Sequence, residues 1–206
     1  QFYLYHVFFI TRKQICCETM VENFIESSNV DLIPLADVTD NRISIRHARQ
    51  EDLLDILQIE RLSCPSPWTF DIFNYFLATP GFLVATVPTE NSLIDDILPL
   101  SNTYPSPIGF IIADVILEDD SPLGHIKDLA VSPPWRGNGI ATQLISRILD
   151  DFKSQEIKKV KLEVRKGNKT AISLYNRFGF SFHHSLSGYY ADGEDALVLV
   201  LDLLAT

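Results

Sequence analysis

Apolar and polar positions along the chain change period several times, and each change marks an element. Ile43 and Ile45 alternate with polar neighbours as in a strand. Over residues 51–62, Leu53, Leu54, Ile56, Leu57 and Leu62 recur at helical spacing. Ser63-Cys64-Pro65-Ser66-Pro67 must end that helix, because proline lacks the amide and restricts the residue before it. Residues 68–78 predict a second short helix, stopped by Pro80-Gly81, and residues 82–87 and 107–117 predict strands. Residues 119–122 read as a turn and 124–131 as the next strand. Ile140, Leu144, Ile145, Ile148, Leu149 and Phe152 make one apolar helix face, and Val160, Leu162 and Val164 alternate. Ala171, Ile172, Tyr175 and Phe178 form another helix face ended by Gly179, and residues 180–185 and 196–203 are closing strands. The order β-α-α-β-β-β-α-β-α-β-β predicts an α/β fold, a mixed sheet with helices on both faces.

Two stretches stand outside this pattern. Residues 88–106 hold three prolines, Asp95-Asp96 and no Lys or Arg, and are too long for a hairpin loop. We expect a surface insertion there, with room for a short helix at residues 92–98. Residues 1–41 are expected to be a poorly ordered extension, and residues 42–206 the domain. Met20 is the only methionine. Either residues 1–19 precede a native start at Met20, or they form a leader or an extra docked strand.

Composition narrows the function. The chain has 206 residues, 46% of them hydrophobic, with 17 Lys+Arg against 27 Asp+Glu and a net charge of −10. That balance argues against duplex nucleic acid or an anionic membrane as the main ligand, since both need a basic face. The most apolar run, residues 2–10, falls short of the roughly 20 residues a membrane helix needs. Three cysteines make neither a disulfide framework nor a four-ligand zinc site, so a reducing cytoplasmic setting is expected.

Gly137 and Gly139 lie between a predicted strand and a predicted helix, in Arg136-Gly137-Asn138-Gly139-Ile140-Ala141-Thr142. The first amides of a helix are unpaired and sit at the positive end of its dipole, which suits an anion. Glycine lets a phosphate approach them without a Cβ in the way. The Walker pattern is absent, and Thr142 stands where G-x-G-x-x-G needs glycine. Taken alone, two such glycines mark a turn more often than a phosphate site.

The surrounding residues change that weighting. Arg136-Gly137-Asn138-Gly139-Ile140-Ala141 resembles the R/Q-x-x-G-x-G/A motif of the GNAT acetyltransferases, after a strand ending Leu129-Ala130-Val131. Residues 162–168, residues 171–175 and Phe178-Gly179-Phe180 resemble the second half of the RimI-type protein N-terminal acetyltransferases. Gly188-Tyr189-Tyr190-Ala191-Asp192-Gly193-Glu194-Asp195-Ala196 resembles the hairpin of archaeal and eukaryotic N-alpha-acetyltransferases. The resemblance spans about residues 42–203, is strong from Gly124 onward, and is absent from the insertion and the extension.

The resemblance implies a GNAT fold and acetyl transfer from acetyl-CoA to a protein α-amino group, with no metal. The implied substrates are protein N-termini, of ribosomal proteins or nascent chains. No direct nucleic acid or membrane partner is implied, and the protein would be a monomer or weak dimer. The loop at residues 136–142 would hold the pyrophosphate, and the amides of Leu129, Ala130 and Val131 the pantetheine arm. Asn168 would contact the cofactor, although helix capping explains it as well. Glu163, on the strand face opposite Leu162 and Val164, would be the general base, with a solvated strand carboxylate as the plain reading. Tyr175 would protonate the departing thiolate, although its helix face also fits a core aromatic. His125 would assist across the adjacent strand, or simply sit there as a satisfied histidine. Tyr189, Tyr190 and the loop containing Trp68 would line the acceptor groove, with hairpin packing as the alternative for the tyrosines. Between residues 153 and 177 eight Lys/Arg face two Asp/Glu, which suggests an electropositive rim for the CoA phosphates. Two other readings stay open: acetylation of a small amine or a lysine side chain, and a non-catalytic CoA-binding regulatory module.

Overall fold

A computed structural model describes residues 43–87 and 105–204 of the chain. The expectations for residues 1–41 and for a helix within the insertion lie outside the described residues. The strands are β1 (Ser44–His47), β2 (Gly81–Thr86), β3 (Pro107–Glu118), β4 (Ser121–Val131), β5 (Lys159–Arg165), β6 (Ser181–Leu186) and β7 (Ala196–Asp202). Among the described residues the α-helices are α1 (Leu53–Ser63), α2 (Phe70–Phe76), α3 (Ile140–Ser154) and α4 (Lys169–Arg177). The strands form one sheet in the order β1-β2-β3-β4-β5-β7-β6. The element order is the one that the periodicities predict, and the fold is mixed α/β.

Each face of the sheet carries its own core. Leu83, Ile111, Ile126, Leu129, Val160 and Leu162 pack beneath α3 and α4, against Leu144, Ile148, Phe152 and Tyr175. Phe82, Val84, Phe110, Ile112 and Ala130 pack beneath α1 and α2, against Leu53, Ile56, Phe73 and Trp68. At roughly 1.5–3 kcal/mol per fully buried side chain, both faces contribute heavily to holding the sheet.

Of the boundaries that differ from the sequence reading, two have a clear local cause. The β3–β4 turn uses only Asp119 and Asp120, both left-handed at φ 49° and 59°. Aspartate tolerates that region, and two such residues match the twist of a tight hairpin, so Ser121 and Pro122 join β4. Helix α2 starts at Phe70, because Pro67 and the extended N-cap Thr69 hold Trp68 outside it.

Two irregularities in β4 position the site. All strand pairs are antiparallel except β4–β5, which pair in parallel only over Gly124–Ile126 and Val160–Leu162. Beyond that point β4 pairs only with β3, and β5 only with β7, so the two strands diverge into a V. β4 also carries a bulge. Ile112 pairs with Asp128 and Ala113 with Ile126, leaving Lys127 extra. The bulge lets Lys127 and Asp128 both reach the α1–α2 side, Lys127 over the Phe76 ring and Asp128 within electrostatic range of Glu60.

Candidate active site

The site forms where β4 and β5 part. His125 stands in the last paired stretch of β4, and Glu163 is the first β5 residue beyond it. Both project to the α1–α2 side, since Ile126, Leu162 and Val164 occupy the other face. His125 Nε2 lies 2.7 Å from Glu163 Oε2, with both residues 7% exposed. The structure thus brings together two residues 38 positions apart that the sequence reading could only place on neighbouring strands.

Lys127, absent from that reading, extends the pair. Its Nζ lies 3.4 Å from His125 Nδ1 and 3.4 Å from Asp114 Oδ1. The His125 ring thus bridges the two charged groups, with Nε2 facing the Glu163 carboxylate and Nδ1 facing the Lys127 ammonium. Burial by itself would raise the Glu163 carboxyl. The hydrogen bond and electrostatic pull of His125, with smaller help from Lys161 and Lys127, outweigh it and hold the carboxyl below its ordinary value. Glu163 is therefore ionised at neutral pH.

A groove of about 310 Å³ opens from the V toward α3 and α4. It is lined by Leu129, Ala130, Val131, Arg136, Gly137, Gly139, Ile140, Ala141 and Thr142, with Ala171, Leu174 and Arg177 opposite. Gly139 is the N-cap of α3 at φ 76°, with no side-chain cap over the first helical amides. Gly137 has φ 80°, and a Cβ added at either glycine would meet nothing within 4 Å. Arg136 braces the loop, donating from Nε to the Val131 carbonyl at 3.0 Å and from Nη2 to Ser63 Oγ at 3.1 Å. Asn138 Nδ2 donates to the Trp135 and Arg136 carbonyls at 3.1 and 3.3 Å. These side chains shape the loop and leave its backbone facing the open space.

Ser132 N donates to the Ile108 carbonyl across the β3 ladder. By alternation the Leu129 and Val131 amides point away from β3, into the V. The Leu129 amide is engaged by Asp128 Oδ1 at 2.8 Å. Asn168 caps α4, its Oδ1 accepting from Ala171 N at 3.0 Å. Its buried Nδ2 has no hydrogen-bond partner among the described residues. A thioester cofactor with an amide-bearing arm and a pyrophosphate fits this set of donors. Among the described residues, no group of three or more His, Cys, Asp or Glu could hold a metal ion. Tyr175 lies one turn beyond Ala171 on the same face of α4, fully buried, its ring 5.6 Å from that of Phe180.

The α1–α2 side holds the remaining residues. Tyr190 is 2% exposed, with Tyr189 edge-on at 5.2 Å, and among the described residues its hydroxyl has no hydrogen-bond partner. Burial raises the phenol and neighbouring Tyr189 adds to it, against the opposing pull of Arg165, so the hydroxyl keeps its proton. Arg165, which the sequence reading missed, stacks 3.9 Å over the Tyr190 ring. It also donates to Asp192 and Glu194 at 2.8 and 2.7 Å, fixing the β6–β7 hairpin against β5. Trp68 packs on Phe73 and Phe76 in the core beneath the α1–α2 loop. Its backbone N–H donates to Glu60 Oε1 at 3.0 Å.

Comparison with known proteins places the chain in a family. Residues 53–180 match the Acetyltransferase (GNAT) family. The chain is similar to an N-alpha-acetyltransferase of Saccharolobus solfataricus, at 32% identity over 78% of this chain and 93% of the relative. It is also similar, at 27% identity over 77% and 94%, to a putative ribosomal protein bS18-alanine N-acetyltransferase of Bacillus subtilis. Among solved structures, a chain of the NatC complex bound to Gag peptide and CoA shares the fold. The TM-score is 0.67 at 24% identity, over 78% of this chain and 98% of that one.

Proposed function

The chain belongs to the GNAT acetyltransferase family, and on that premise we propose that it transfers the acetyl group of acetyl-CoA to the α-amino group of a protein N-terminus. The observation that carries this reading is the V between β4 and β5. Its apex holds the His125–Glu163 pair, its β4 edge lines one groove with the glycine loop, and Arg165, two residues beyond Glu163 on β5, stacks on Tyr190.

When bound, acetyl-CoA supplies an activated acyl group and a thiolate leaving group. The loop at residues 136–142 and the N-terminus of α3 hold its phosphates, where backbone amides and the helix dipole favour negative charge. The Val131 amide pairs with the pantetheine arm, and Asn168 Nδ2 donates to it. Glu163, kept ionised, accepts the proton of the incoming amine, directly or through one water, while His125 and Lys127 fix its orientation. An α-amino group with a pKa of about 7.7–8 asks only a modest base. Tyr175 supplies the proton for the thiolate from the α4 side. Tyr190 and Tyr189 close the acceptor groove over the first residues of an extended peptide.

An acetylation assay with mass-spectrometric readout tests this, using peptides that differ only in whether the α-amine is free or blocked and whether they contain lysine. Acetyl groups on free α-amines, and none on blocked peptides containing lysine, is the expected result. Modification of lysine side chains or small amines alone would replace the reading by the second acceptor class. Acetyl-CoA binding without turnover on any acceptor would leave a regulatory module.

A further inference from the structure

Two buried carboxyl groups take no part in the reaction as derived above. Glu60 lies in the last turn of α1 and Asp128 in the bulge of β4, each with 0% exposure. Glu60 Oε1 accepts the Trp68 backbone N–H at 3.0 Å and so anchors the loop from α1 to α2. Asp128 Oδ1 accepts the Leu129 N–H at 2.8 Å, at the start of the β4 edge that faces the V. Among the described residues, the remaining oxygens, Glu60 Oε2 and Asp128 Oδ2, are buried without hydrogen-bond partners. Two ionised carboxylates here would be buried like charges acting on each other, at a cost of several kcal/mol. One proton shared between them would satisfy both oxygens and leave a single charge. The electrostatics agree. Burial raises Glu60 to about 7 and Asp128 well above its ordinary value, and the Glu60 charge raises Asp128 further.

We infer that Glu60 and Asp128 are positioning residues that share one proton and form a buried cross-link between the acceptor-side loop and the cofactor-side strand. The inference rests on the proposed placement of peptide and acetyl-CoA on either side of the V. The bonds run from the Trp68 N–H to the Glu60 carboxyl, through the shared proton to the Asp128 carboxyl, which also accepts from the Leu129 N–H. A donor at each end leaves room for one proton in the middle and no more. β4 is held by its ladder with β3 as well, so breaking the link releases the loop rather than the strand. Peptide binding then suffers before acetyl-CoA binding does.

Counting donors supplies the test. In Glu60→Gln the amide oxygen accepts from Trp68 while its nitrogen donates to Asp128, and the link survives. Asp128→Asn preserves it in mirror image. In the double variant two amide N–H groups meet, and flipping either amide only moves the clash to Trp68 or Leu129. Each single variant should keep the peptide KM within about threefold of wild type. The double should raise it about tenfold or more, with kcat and acetyl-CoA affinity changed by less than about threefold. A packing role alone predicts small, additive effects, because all three variants nearly conserve volume. A double variant whose KM is the product of the two single effects would overturn the cross-link. Infrared difference spectra of the full chain provide a readout independent of activity and of the double variant's folding. Wild type should show the carbonyl stretch of a protonated buried carboxyl at neutral pH, and each single variant should lose it. A wild type without that band overturns the shared proton. Failure of wild type to acetylate any peptide counts instead against the proposed function, and leaves the infrared result to stand by itself.

Discussion

The 2.7 Å contact between His125 and Glu163 decides what a substitution at either residue reports. Glu163→Gln removes the accepting charge, yet the amide oxygen still accepts from His125 Nε2 and the volume is nearly unchanged. Acetyl-CoA affinity, measured by calorimetry, should stay within about threefold, while kcat falls on the order of 10²-fold. Adding His125→Ala should deepen the loss if His125 shares the proton transfer. Turnover equal to wild type in both variants would remove the pair from the mechanism. Alternation along β5 already places Glu163 opposite Leu162 and Val164 in the sequence, and neighbouring strands make a contact with His125 foreseeable. Lys127 and Asp128 are not legible in the same way. The bulge breaks the period of two at that point, so counting along residues 124–131 assigns them to opposite faces. An adjacent lysine and aspartate inside a mostly apolar strand are the surviving signal. Glu60 is hidden for a related reason: in a helical pattern only the apolar positions are counted, and its burial depends on Trp68 and β4.

At the scale of elements, the loop into α3 is the part most open to reading from sequence, because its glycines act locally. Both have positive φ and open space where a side chain would project. Gly139→Val would put a β-branched residue at φ 76°, strained by roughly 1–2 kcal/mol, with its methyl groups in the space assigned to the pyrophosphate. Acetyl-CoA Kd should rise about tenfold or more, while the melting temperature falls by only a few degrees. Tight acetyl-CoA binding by a folded Gly139→Val protein would remove the phosphate-loop assignment. The V between β4 and β5 lies beyond local reading, since it depends on where pairing stops between strands separated by all of α3. The start of α2 also slipped by two residues, because Thr69 rather than Pro67 is the boundary that the backbone uses.

Over the whole molecule, the cationic stretch at residues 153–177 is less of a bare rim than the sequence suggests. Lys161 pairs with Glu118, Arg165 with Asp192 and Glu194, and Lys166 with Asp195, whereas Arg177 lines the groove. Much of the positive charge therefore ties strands and the β6–β7 hairpin together. The buried carboxyls act on stability in the opposite direction from such ion pairs. Glu60 rises from 4.5 to about 7 on folding, and Asp128 rises as well, so the folded state binds more protons than the unfolded chain. Stability from Glu60 is fully present below pH 4.5 and is lost as pH rises through about 7, on the order of 3 kcal/mol, and the raised Asp128 acts in the same direction. Glu163 works in reverse, since its lowered value contributes stability above its unfolded value that is lost as pH falls through the folded one. Between pH 5 and pH 8 the buried pair should dominate, because Glu163 is ionised throughout. The melting temperature of wild type should therefore fall across that window, by several degrees at roughly 2–4 °C per kcal/mol. Glu60→Gln should flatten the slope, since it leaves Asp128 as the one titrating member with an amide donor to hold its charge. Calorimetric scans of both proteins in matched ionic strength measure the two slopes. Parallel curves would mean that Glu60 does not hold a proton on folding.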